Sequence, residues 1–355
     1  MFRRSPVGRL LFSVCLCLAP VSASPLFNFT HDAGMSAQAV AGFQAAADRW
    51  SLLFADNVTI NIAIDLRPLG AGILGEASAT QANYGYGAVR TALTNDLQSA
   101  DDASAVANLQ AGPAVSLLLN YTSNNTNGPN SSTPYLDNDG DANNTLIHMS
   151  NANAKALGLL AANNAALDAS ITFSSSFSFD YDPTDGITAG FYDFVGIAAH
   201  EIGHALGFIS GVDVLDFNSP PFFPDAAFTF VSTLDLFRFS AASIAAGAGV
   251  IDWTADNRVK YFSVNGGVTN IAGFATGVDH GDGRQASHWK DGLGIGIMDP
   301  TASTGELMAI SNTDIRAFDV IGWNLEAVPE PSTLILMGIG IFGLISYHRK
   351  RASAR

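Results

Sequence analysis

The sequence predicts an α+β fold, a twisted mixed sheet with helices packed on it, and two stretches carry that expectation. Val58, Ile60, Ile62 and Ile64 fall at every second position, the period of a half-buried strand. Just before them Val40, Phe43, Ala47, Trp50 and Phe54 recur at helical spacing. Further on, Phe and Ser alternate within residues 171–182, and an apolar helical pattern surrounds residues 194–206. Strand and helix signals therefore interleave, the order expected of a sheet flanked by helices.

Taken from the start, Arg3, Arg4 and Arg9 precede an apolar run from Leu10 to Val21, and Val21-Ser22-Ala23 supplies small residues for cleavage. This run reaches only about 18 Å as a helix, short of the roughly 30 Å membrane core. Residues 1–23 are thus read as a signal peptide removed by signal peptidase, and 24–327 as the folded body. In the body the pattern predicts a helix over 36–54, a strand from 58 and a polar loop at 120–144. A helix at 151–161, a strand over 171–182 and a turn at Pro183-Thr184-Asp185-Gly186 follow. Ser311-Asn312-Thr313-Asp314 has the form of a capping box ahead of Ile315, Phe318 and Ile321, so a C-terminal helix closes the body at Gly322-Trp323.

Composition narrows the chemistry. The 355 residues carry a net charge of -15, which opposes any role in tracking nucleic-acid phosphates. Arg3, Arg4, Arg9, Arg349, Lys350, Arg351 and Arg355 all lie in the two ends, so the body is more acidic than that average. Cys15 and Cys17 are the only cysteines, and both belong to the N-terminal apolar run. A thiolate metal site or a disulfide framework is excluded for the body, and any metal there must be held by His, Asp or Glu.

His200-Glu201-Ile202-Gly203-His204 supplies such ligands. Four helical steps return His204 to the face of His200, one turn on, so two imidazoles can meet one ion with Glu201 beside them. Gly207 is placed to end that helix in a left-handed cap. Two histidines leave zinc one short of the three protein ligands usual at a catalytic centre. The next glutamate after Glu201 is Glu306, too remote for a glutamate-ligand arrangement, and Ser210 is a poor ligand. His288, in Ser287-His288-Trp289, is preferred. His280 is its rival and Asp213 the outside candidate, an aspartate that would more often orient a ligand or cap a turn.

The helix motif, with His288 followed by tryptophan and then by Met298 in Ile297-Met298-Asp299-Pro300, resembles the leishmanolysin type of metzincin. There a long insertion, here 208–287, separates the helix-ending glycine from the third histidine. The resemblance implies a zincin fold with an active-site helix, and Zn²⁺ held by His200, His204 and His288. Met298 would pass beneath the metal, with Met308 as the competing methionine. It further implies peptide-bond hydrolysis of a protein or peptide substrate, with Glu201 as general base toward a metal-activated water. The competing expectation is a non-catalytic surface or biofilm-matrix protein that keeps the zincin scaffold.

Three further signals remain. Asp137-Asn138-Asp139-Gly140-Asp141 with Asn143 and Asn144 reads as a solvated acidic loop or, alternatively, a Ca²⁺ site. Its glycine falls too early for an EF-hand. Leu234–Phe239 reads as an internal ion pair, Asp235 with Arg238, or as a substrate-facing element, and the structural role is preferred. In the tail, 328–355, Val328-Pro329-Glu330-Pro331 leads to a short apolar run, Leu334–Tyr347, and then His348-Arg349-Lys350-Arg351. That order is similar to a PEP-CTERM sorting signal. It implies an exosortase-type partner, transient insertion of the apolar run as a transmembrane helix, and delivery to the surface or matrix of a Gram-negative bacterium.

Overall fold

The computed structural model describes residues 24–326. The expected signal peptide and the expected sorting tail, with the apolar helix anticipated for it, lie outside the described residues. In chain order the elements are β1 (Leu26–Thr30), α1 (Ala37–Ser51), β2 (Thr59–Arg67), β3 (Gly75–Ala79), β4 (Gln81–Gly85), α2 (Tyr86–Asp96) and α3 (Ala100–Asn108). Next come β5 (Leu117–Leu119), β6 (Tyr135–Asp137), α4 (Ala142–Thr145), β7 (Leu146–Ser150), α5 (Asn151–Ala156), β8 (Ala169–Ser174), β9 (Phe179–Asp180), β10 (Tyr192–Asp193) and α6 (Phe194–Leu206). The rest comprises α7 (Val212–Asp216), β11 (Arg238–Phe239), α8 (Ala241–Ala246), β12 (Ile251–Asp252), β13 (Lys260–Phe262), β14 (Ala272–Phe274) and α9 (Asn312–Val320). The class is mixed α+β, built on several small sheets.

The main sheet has the order β1-β2-β8-β3, with β1, β2 and β8 parallel and β3 antiparallel at the edge. The alternation at 58–64 becomes β2, whose Ile60, Ile62 and Ile64 are buried. Helix α1 starts at Ser36, whose side chain accepts from the Ala39 amide, and buries Phe43, Ala46, Ala47 and Trp50. Phe43, Phe173 of β8 and Phe194 of α6 meet with ring centroids 4.6–5.2 Å apart, joining helix to sheet. Trp50 adds a polar tie, its indole donating to the Ala199 carbonyl at 2.9 Å.

Several expected elements are shorter than the pattern suggested. The 151–161 helix stops at Ala156 because the Leu159 and Leu160 amides both fold back onto the Ala154 carbonyl. The 171–182 strand breaks after Ser174, whose hydroxyl accepts from the Ser176 amide, and resumes as β9. The polar 120–144 stretch is not all loop: β6 within it pairs antiparallel with β5.

Residues 208–287 are integrated into the body. β12 adds in parallel to β5, and β11, β13 and β14 form a small antiparallel sheet. Trp253, Phe262 and Phe274 join the same buried cluster as Phe43 and Trp50. The expected Asp235–Arg238 ion pair does not form. The buried Asp235 carboxylate is filled by the Ser210 hydroxyl, the Gly211 and Ser232 amides and the Trp253 indole. Arg238 instead lies over the Phe274 ring and donates to the Ala275 carbonyl. At the far end of the body, Leu325 bridges to Phe54, and the Glu326 amide donates to Leu53. Among the described residues no helix is long and apolar enough to cross a membrane.

Candidate metal centre

Helix α6 begins at Asp193, whose carboxylate accepts from the Gly196 amide, and ends at Gly207, which has the left-handed φ of 119° expected from its sequence position. The turn at Gly207 brings the Phe208 carbonyl back over the helix end, where it accepts from His204 Nδ1 at 2.7 Å. His200 Nδ1 donates to the Ile297 carbonyl at 2.7 Å, and His288 Nδ1 faces the Gln285 carbonyl at 3.3 Å. A carbonyl oxygen can only accept, so each ring carries its proton on Nδ1 and leaves the Nε2 lone pair free.

Those three Nε2 atoms converge. His200 to His204 is 3.1 Å, His204 to His288 is 3.2 Å and His200 to His288 is 3.3 Å. Burial, reinforced by the neighbouring imidazoles, pulls His204 down to about 3 and His288 well below its ordinary value; burial lowers His200 as well. With no proton available to bridge them, three facing lone pairs repel. A tetrahedral centre with bonds of about 2.0–2.1 Å sets its nitrogens roughly 3.3–3.4 Å apart, so the donor set fits a zinc-like ion in chemistry and in spacing.

The surrounding residues hold this arrangement. A Cβ placed on Gly203 would lie 2.5 Å from Met298 Sδ, so the buried thioether packs against α6 between the two motif histidines. Met308 contacts the helix nearer its start, at Gly196. His280 is elsewhere, its ring stacked on Tyr121 at 4.0 Å. Asp213 does not join the histidines either. Its carboxylate accepts from the Ala286 amide at 2.5 Å, the Ser287 amide at 3.1 Å and the Ser287 hydroxyl, fixing the backbone that leads into His288.

Asp314 has a role beyond its cap. The capping box of α9 forms at Ser311, yet the buried Asp314 carboxylate also accepts from the Ile297 amide at 2.9 Å, the Met298 amide at 3.3 Å and the Trp289 indole at 2.8 Å. It therefore joins the last helix to the segment beneath the histidines. The capping pattern was visible in the sequence; the long-range bonds had no local signal.

Glu201 lies against β3, with Oε1 3.1 Å from a Cβ built on Gly75. Burial, with a smaller contribution from Glu76, pushes its carboxyl up to about 8. Glu201 and the three histidines line a cleft of about 730 Å³, walled on one side by residues 72–79 and on the other by Arg284, Gln285 and Pro300. Tyr192, just before α6, also lines it.

A family model for the PEP-CTERM protein-sorting motif matches residues 327–350. The chain therefore carries the C-terminal signal for export and cell-surface sorting in Gram-negative bacteria, a signal recognised by exosortase-type machinery. Comparison of the chain with curated proteins and with solved structures finds no match.

Proposed function

We propose that this chain is an exported zinc-dependent endopeptidase of zincin, metzincin-like build, delivered to the cell surface or matrix by its C-terminal signal. The observation that carries the reading is the convergence of three unprotonated Nε2 atoms at the wall of a cleft that also holds Glu201. His200, His204 and His288 would bind the ion. Once bound, zinc supplies Lewis acidity, polarising a carbonyl oxygen and acidifying water.

The chain's own groups do the rest. The carbonyls of Ile297, Phe208 and Gln285 fix each imidazole tautomer and orientation. Glu201, beside the histidines in the cleft, accepts a proton from the attacking water and delivers it to the leaving amine. Strand β3 is bonded to β8 on one side only, and it borders the cleft. Its open edge suits an extended peptide, which strand addition would lay across the histidines.

The test is zinc content together with casein cleavage by the purified protein and its Glu201→Gln variant. The reading expects about one zinc per chain in both, with turnover about 10²–10⁴-fold lower in the variant. Zinc bound by a wild type that cleaves neither casein nor a peptide library would instead leave a non-catalytic surface protein on a zincin scaffold.

A further inference from the structure

A second group of potential ligands lies away from the histidines. Carboxylate oxygens of Asp137, Asp139 and Asp225 all fall within 4.8 Å of one another. Asp137 ends β6, and Asp225 opens a single helical turn, 225–227, in the long stretch before His288. Both are buried, while Asp139 is exposed. Among the described residues no Lys or Arg forms an ion pair with any of the three.

Two buried acids elsewhere are matched. Asp168 faces Lys155 at 2.6 Å, and Asp235 is filled by four donors. The Asp137 group has only neutral donors. Asp225 accepts from Asn124 Nδ2 at 2.7 Å, the Tyr135 hydroxyl at 3.0 Å and the Ala226 amide at 2.8 Å. Asp139 accepts from the Asp141 amide at 3.1 Å. Burial, with the like charges of Asp225, Asp139 and Asp141, pushes Asp137 up to about 6.

Asn143 supplies an independent pointer. Its side chain is fully buried and directed at Asp137, donating from Nδ2 to Oδ2 at 2.7 Å, while its Oδ1 has no hydrogen-bond partner. A buried amide oxygen without a donor is costly. Turning the amide over puts that oxygen where Nδ2 now stands, beside the Asp137 carboxylate. Two oxygens can share that spacing when a cation lies between them, and four such hard donors suit calcium better than a nitrogen-preferring metal.

We infer that Asp137, Asp139 and Asp225, with the side-chain oxygen of Asn143, hold a calcium ion that fastens residues 137–144 to the turn at 225–227. The exposed Asp139 leaves room for water to complete the shell. An affinity on the order of 10⁻⁴–10⁻³ M, that of extracellular calcium modules, would let the site fill after export. This inference stands apart from the peptidase reading.

Thermal unfolding of the purified full chain, with 10 mM CaCl₂ or MgCl₂ against none, tests it alongside equilibrium dialysis with ⁴⁵Ca. Calcium should raise the midpoint by roughly 3–6 °C and magnesium by less than half as much. Asp139→Asn, an exposed change that leaves the fold its other contacts, should weaken calcium binding at least about tenfold, and Asp225→Asn should do the same. Absence of bound calcium in the wild type, an equal shift with magnesium, or a calcium shift that survives both substitutions would overturn the assignment.

Discussion

The histidine centre and the Asp137 group answer the same difficulty, buried polar groups facing one another, in different ways. At the histidines, backbone carbonyls fix every donor, and each ring is neutral with its lone pair turned inward. At the aspartates the groups are charged, one of them is exposed, and they are steadied by side-chain amides and a tyrosine. The first suits a borderline metal held in a fixed tetrahedron; the second suits a hard, loosely coordinated ion. Both join chain segments remote in sequence: α6 to residue 288 in one case, residues 137–144 to residue 225 in the other. The difference lies in what enforces position, main chain alone in one and a mixture of side chains and nearby backbone amides in the other.

That contrast can be broken most forcefully at His288. Zinc affinity of His288→Ala should fall by more than the roughly 10–100-fold that loss of an outer partner costs, while His280→Ala keeps its zinc. The opposite pattern would move the third ligand to His280. Asp314→Asn probes the main-chain scaffold without touching a ligand, by placing an NH₂ where backbone amides now donate. Competition with a chromogenic chelator should show zinc affinity about tenfold weaker, and denaturant unfolding a loss of about 2–4 kcal/mol. Unchanged affinity would mean that the Ile297 and Met298 amides do not need Asp314.

The smallest expected effect comes from a second acidic site, where Asp319 lies near Asp96, Asp101 and Asp102 and accepts from Ser99 at 2.6 Å. Burial above all, and then those three like charges, push Asp319 up to about 7. A raised folded-state value means that the protonated form favours the fold. The contribution is full below about pH 4 and is lost as pH rises through about 7. Asp319→Asn removes the dependence, so from pH 5 to pH 8 its midpoint should gain about 1–3 °C relative to wild type. Calcium should leave this difference untouched, since protons relieve the crowding here. A pH-independent difference would remove Asp319 from the account.

Strand β2 and helix α1, which packs on the sheet, were legible. Val58–Ile64 and Val40–Phe54 have clean periods because one face of each is buried and the other is not. The helix motif and Gly207 were equally plain, since spacing along one helix fixes their geometry. β3 had no such signal: its residues Gly75, Ala77 and Ala79 are small and half-buried, so no alternation marks the strand that borders the cleft. The 208–287 stretch was opaque for a related reason. Its strands run two or three residues, and their partners lie far off, as with Ile251 against Leu117. Asp314 was read as a cap because that bond is local, and Asp213 as an outside ligand candidate that would more often orient a ligand or cap a turn. The bonds of Asp213 to residues 286–287 and of Asp314 to residues 297–298 depend on the finished fold.

The pairing of Leu325 and Glu326 with Leu53 and Phe54 has a mechanical side. A protein held at a surface by its C-terminal end takes drag from flow or from a bound substrate at the last residues of its body. Here that load enters a short antiparallel bridge against the end of α1 before it reaches α9. Tension applied at those last residues would load the bridge first, ahead of α9 and of the segment that Asp314 ties beneath the histidines.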